Sequence, residues 1–131
     1  LLETYGYLDV QCPESWDAQA AVFTTCHNDL NPWNVIVTEA RWETIDWEFV
    51  GNHDPLFDLV TLHQGLNLPA EELFELCPEL DPKSTRTRIE ANIKNYWLRE
   101  GGWAKYQILH GNDRDEIRAQ LRTAETKLDF L

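Results

Sequence analysis

The 131-residue sequence has no methionine, and only 11 lysines and arginines stand against 23 aspartates and glutamates, leaving a formal charge of −12. No basic cluster is available to follow a phosphate backbone, so nucleic acid is not an expected partner. Cysteine is scarce as well. Cys12, Cys26 and Cys77 are widely spaced and odd in number, which provides neither a CxxC metal pair nor a complete disulfide framework and suits a reduced, cytoplasmic setting. No apolar run approaches the roughly 18 residues that a membrane span needs, so no membrane partner is expected. His53, His63 and His110 form no HxxxH or HExxH pattern, which argues against zinc. Repeats and low-complexity tracts are also missing. What remains is the composition of a globular chain: 43% hydrophobic, with six Trp, five Phe and four Tyr as large burial units.

Along the chain, the β-branched and aromatic run Val22-Phe23-Thr24-Thr25 reads as a short strand entering the polar stretch CHNDLNPWN, residues 26 to 34. Val35-Ile36-Val37-Thr38 is a second strand, Glu39-Ala40-Arg41 a turn, and Trp42 to Trp47 a returning strand. Helical signals follow. Asp54-Pro55 pairs an N-cap acid with proline at the first helical position, ahead of Leu56, Leu59, Val60 and His63 at helical spacing. A short helix is expected over 71–76 after Pro69. Asp81-Pro82 repeats the cap signal before Ile89, Ile93, Tyr96 and Trp97, and Gly101-Gly102 is expected to interrupt that helix. Asp113 is expected to cap a last helix on which Ile117, Leu121, Ala124 and Leu128 align, with Asp115 and Glu116 in its first turn. The aromatic set Tyr96, Trp97, Trp103 and Tyr106 resembles a cage for a quaternary ammonium, but its helical spacing favours a core. The expected fold class is α+β: a small β-hairpin carrying a polar loop, packed on a mainly helical subdomain.

The hairpin makes a geometric prediction. With a turn near Ala40, positions whose numbers sum to about 80 lie opposite each other, which sets Asn34 against Asp46 beside the loop that holds Asp29. Hard oxygen ligands gathered in this way suit Mg²⁺, which takes one or two carboxylates and leaves its other positions to water and phosphate oxygens. Asp29 then remains to orient and deprotonate a hydroxyl, while Asn34 and Asp46 hold the metal. Phosphoryl transfer needs just these parts, because its catalysis is mostly positioning and charge neutralisation.

His27-x-Asp29-x-x-x-x-Asn34, then Ile45-Asp46-Trp47-Glu48, then Asp54-Pro55-x-x-Asp58-Leu59 together resemble the signature of the aminoglycoside phosphotransferase and choline kinase-like family, which shares the protein-kinase fold. The resemblance covers roughly residues 22 to 62. It implies the C-terminal lobe of that fold, with Asp29 as catalytic base, Asn34 and Asp46 as Mg²⁺ ligands, His27 bracing the loop, and Asp58 bonding back to the loop backbone. ATP is the implied phosphoryl donor. Glu48 is left with two readings, contact with a cationic substrate or a solvated face.

Three departures refine the expectation. Asn28 replaces the arginine that reads a phosphorylated activation loop in many protein kinases, and Trp47-Glu48 replaces Phe-Gly. A small-molecule acceptor is therefore expected over a protein, and the acidic surface would suit a cationic one such as choline or an aminoglycoside. The family's N-terminal nucleotide lobe, with its glycine-rich loop and lysine, has no counterpart ahead of the motif. Residues 1–131 are accordingly expected to form a partial kinase-like domain, with the loop and metal-binding hairpin at 21–50 and the helical subdomain at 54–131. Alone, such a chain is expected to be weak or inactive unless it forms a homo-oligomer or regains the missing lobe. The competing class is a pseudoenzyme or binding module that retains the lobe without nucleotide binding.

Overall fold

The computed structural model describes residues 24–69, 71–73 and 82–129. These divide between two compact units, one ending at Ile93 and the other beginning at Lys94. The first unit holds two small antiparallel sheets. Strand β1 (Thr24–Cys26) pairs with β4 (Gly51–His53), and β2 (Val35–Val37) pairs with β3 (Trp42–Thr44). Helix α1 (Pro55–Gly65) packs against β1, and α2 (Pro82–Leu109) contributes its first turns to this unit. Mixed helix with small antiparallel hairpins is the α+β class that the sequence pattern implies.

The β2–β3 hairpin turns through Glu39 and Ala40. Thr38 closes the turn from both sides, its N–H donating to the Arg41 carbonyl at 3.0 Å and its Oγ1 accepting the Arg41 N–H at 3.1 Å. Register therefore runs Val35 to Thr44, Ile36 to Glu43 and Val37 to Trp42. This corrects the expected pairing: Asn34 lies opposite Ile45, whose N–H donates to the Asn34 carbonyl at 3.0 Å, and Asp46 is two residues past the end of the ladder at Thr44. The physical reason is the two-residue turn, which moves the fold point half a residue toward the N-terminus. β3 also stops at Thr44, where a continuous strand to Trp47 was expected. Asp46 has left-handed backbone (φ 63°) and starts a 3-10 turn, Trp47–Phe49. A strand cannot continue through that conformation, and a short acidic side chain tolerates it better than most.

α1 starts as its cap residues dictate: the Asp54 carboxylate accepts the Leu56 N–H at 3.0 Å, and Pro55 fills the first helical position. Leu56, Phe57 and Val60 are buried in this unit along with Leu73, Ile89 and Ile93. Full burial of such side chains contributes about 1.5–3 kcal/mol each, which is the main term favouring this small core. Residues 71–73 are helical; the remainder of the expected 71–76 helix lies outside the described residues, as do Val22, Phe23 and the Asp81 cap.

In the second unit, α2 continues unbroken through Gly101-Gly102, where an interruption was expected. Packing explains why glycine is there: a Cβ on Gly101 would stand 3.1 Å from the Ala124 side chain of α3 (Asp115–Asp129), tighter than two helices normally tolerate. Tyr96, Trp97, Ala104, Ile117 and Ala124 form the buried set of this unit. Tyr96 and Trp97 meet edge to face at 4.9 Å, as core rings do. α3 begins at Asp115, two residues beyond the expected cap, and the Asp113 carboxylate is engaged by the Arg118 guanidinium. Among the described residues, no helix is long and apolar enough to cross a membrane.

Candidate functional site

The loop between β1 and β2 is built almost wholly from backbone and amide hydrogen bonds. Asn28 has left-handed backbone (φ 63°), a conformation that asparagine accepts with little cost. That kink turns the N–H groups of His27 and Asn28 the same way, and the Asp58 carboxylate takes both, at 2.7 and 2.8 Å. Asp58 is in the first turn of α1, so one carboxylate fastens the loop to the helix. Charge-assisted bonds of this kind are stronger than neutral ones, about 1.5–3 kcal/mol each.

His27 is 2% exposed and joins the loop to the opposite hairpin. Its Nδ1 accepts the Asp29 N–H at 3.3 Å, so Nε2 carries the proton and donates to the Ile45 carbonyl at 2.7 Å. With both nitrogens committed, and the ring 4.6 Å from that of Trp47, the imidazole braces the loop. Asn28 adds a second tie, its amide donating to the Phe49 carbonyl at 2.9 Å. Sequence reading treated Asn28 only as a missing arginine. Its tolerance of left-handed backbone was the signal that could have found this bridging role.

Asp29 is half-buried. Its Oδ2 accepts from the amides of Asn31 and Asn34, each at 3.2 Å, and its carbonyl accepts from the Asn34 amide at 2.9 Å. Asn31 thus belongs with the site, although no motif pointed to it. It also caps the following 3-10 turn, Pro32–Asn34, by accepting the Trp33 N–H at 3.0 Å. These amides hold the carboxylate of Asp29 in one orientation.

Asn34 is buried, whereas Asp46 and Glu48 are exposed on the segment after β3. Among the described residues, no three His, Cys, Asp or Glu side chains gather as a metal cluster. A magnesium ion that takes most of its ligands from water and phosphate does not need one. Asn34 and Asp46 fit that smaller role. The Asn34 amide nitrogen is committed to Asp29, which leaves its Oδ1 as the acceptor face, and the Asp46 carboxylate makes no capping bond to its own turn.

Beneath the site lies a polar cluster that the motif reading did not reach. Asp54 is fully buried, and its carboxylate receives Arg88 Nη2 at 2.6 Å, Arg88 Nε at 3.1 Å and Asn92 Nδ2 at 3.2 Å, besides the Leu56 N–H. Arg88 and Asn92 are one helical turn apart on α2, flanking the buried Ile89 and Ile93. A polar pair at that spacing beside an apolar stripe was the available sign of a buried partner.

Comparisons with known proteins agree on one relationship. A family profile described as "Phosphotransferase enzyme family" matches residues 8–109. Two proteins of Haemophilus influenzae, each called Protein LicA, are 42% identical over 50 residues; the match covers 38% of this chain and 19% and 15% of theirs. Among solved structures, a choline/ethanolamine kinase family protein from Mesorhizobium loti superposes with a TM-score of 0.67 and 26% identity, over 82% of this chain and 40% of that one. The match thus spans less than a fifth of the length of these curated relatives.

Proposed function

Because the chain belongs to the phosphotransferase enzyme family, we propose that it carries the acceptor-activating half of an ATP-dependent small-molecule kinase. The observation that carries this reading is Asp29 held in one orientation by two amides, on a loop whose preceding N–H groups are pinned by Asp58. Asp29 orients the acceptor hydroxyl and takes its proton as the oxygen forms a bond to the γ-phosphorus; the bond from that phosphorus to ADP breaks, and ADP leaves. Asn31 and Asn34 hold Oδ2 of Asp29, directing the carboxylate toward the acceptor. His27 keeps the loop against Ile45. Asn34 and Asp46 would hold Mg²⁺, which when bound neutralises charge on the phosphates.

The acceptor we favour is a small cationic alcohol. Two facts support it: the solved neighbour is titled a choline/ethanolamine kinase family protein, and the chain's formal charge is −12. Glu48, exposed beside Asp46, is the proposed substrate contact on the protein side. The test is ADP release by the full-length protein with MgATP and a panel of choline, aminoglycosides, amino sugars and thiamine. Turnover with one acceptor, absent without Mg²⁺, is the expected result. Absence of both turnover and nucleotide binding would overturn the proposal in favour of a non-catalytic binding module.

A further inference from the structure

The buried Asp54 cluster connects α2 to the loop, with hydrogen bonds at either end and the first turn of α1 between them. Arg88 and Asn92 grip the Asp54 carboxylate with three bonds of 2.6–3.2 Å. The same carboxylate caps α1 through the Leu56 N–H. One turn further along α1, Asp58 takes the N–H groups of His27 and Asn28, and Asp29 is the next residue. We infer that Arg88 is a positioning residue for Asp29, acting through Asp54 and the first turn of α1. The inference rests on the proposed function only for the meaning of Asp29; the mechanical link from Arg88 to the loop stands apart from it.

Three features favour this over a simple tie between helices. First, Arg88 engages Asp54 with two nitrogens in a fork, which fixes direction as well as distance. Second, the pair is enclosed, with side-chain exposures of 12% for Arg88 and 1% for Asp54, so solvent does not soften its geometry. Third, Asp54 accepts four bonds, and a shift of Arg88 alters the same oxygen, Oδ1, that caps α1.

Amide hydrogen exchange on the chain, read residue by residue, tests the link without any assay of activity. Two variants serve: Arg88→Lys, which keeps the charge but loses the fork, and the double variant Asp54→Asn with Arg88→Met, which removes both charges while retaining an N-cap side chain. Both are expected to exchange the His27 and Asn28 amides about 10-fold faster than the unaltered chain, with the Ile45 amide of the hairpin nearly unchanged. Equal acceleration at Ile45, or no acceleration at His27 and Asn28, would overturn the inference, because a merely structural pair loosens the unit as a whole. In MgATP turnover with choline by the full-length protein, Arg88→Lys is expected to lower kcat about 10–100-fold with little change in the KM for ATP. Coupled exchange without turnover would leave the link standing and remove the functional reading. Turnover with uncoupled exchange would do the reverse.

Discussion

His63 shows how one buried side chain ties stability to pH. It is 4% exposed, its Nδ1 lies 3.1 Å from the Gln64 amide nitrogen, and its Nε2 has no hydrogen-bond partner among the described residues. Burial lowers its pKa from the ordinary 6.5, and the charge of Glu72 opposes this more weakly. The folded state therefore prefers the neutral ring. Its contribution to stability is fully present above pH 6.5 and is lost as pH falls through the depressed folded value. Urea unfolding between pH 7.5 and 5 should show a decline of at most about 1.4 kcal/mol per pH unit from this residue. His63→Gln should flatten that slope; an unchanged slope would assign the acid sensitivity elsewhere. Cys26 has the opposite sign of shift. Burial raises its thiol, and the nearby Asp58 charge adds to that, so it stays protonated and unreactive at neutral pH.

Among the elements, the close approach of α1 to the loop is the most exacting contact. A Cβ on Gly65, the last residue of α1, would stand 2.5 Å from Cδ of Pro32. Helix propensity alone predicts that Gly65→Ala stabilises α1 by up to about 1 kcal/mol. The contact predicts the reverse, a loss of about 1–3 kcal/mol in urea unfolding, because either the helix end or the proline must shift. A gain would show that α1 does not press on the loop. Gly111 differs: its φ of +88° makes it a conformational glycine with nothing within 4 Å. Several elements were legible in the sequence because their signals are local: the Asp54-Pro55 start, the α2 stripe of Ile89, Ile93, Tyr96 and Trp97, and the strand formers of the hairpin. The β4 strand was not, since Gly51, Asn52 and His53 have poor strand propensity and are ordered by pairing with β1. Nor was the continuity of α2, where Gly101 reads as a breaker until Ala124 is seen against it.

At the scale of the whole molecule, the site was legible as a set of residues and only partly as a geometry. The motif spacing brought Asp29, Asn34, Asp46 and Asp58 into consideration, but the one-residue register difference and the left-handed Asp46 depend on a turn that composition does not determine. The spacing of Arg88 and Asn92 signalled a buried partner without naming it, because Asp54 lies 34 and 38 residues away and no local pattern encodes that pairing. Apolar patterning also overstated the hairpin's burial. Trp42 is 72% exposed, since a two-stranded ribbon has little to bury it against within the described residues, and Trp33, in the 3-10 turn before the ribbon, is 89% exposed. For the proposed role of Asp29 as the base in phosphoryl transfer, the most direct measurement compares Asp29→Asn with the unaltered full-length protein in MgATP turnover and nucleotide affinity. The account predicts that kcat falls about 10²–10⁴-fold while nucleotide affinity is nearly unchanged. Retained turnover in Asp29→Asn would contradict it.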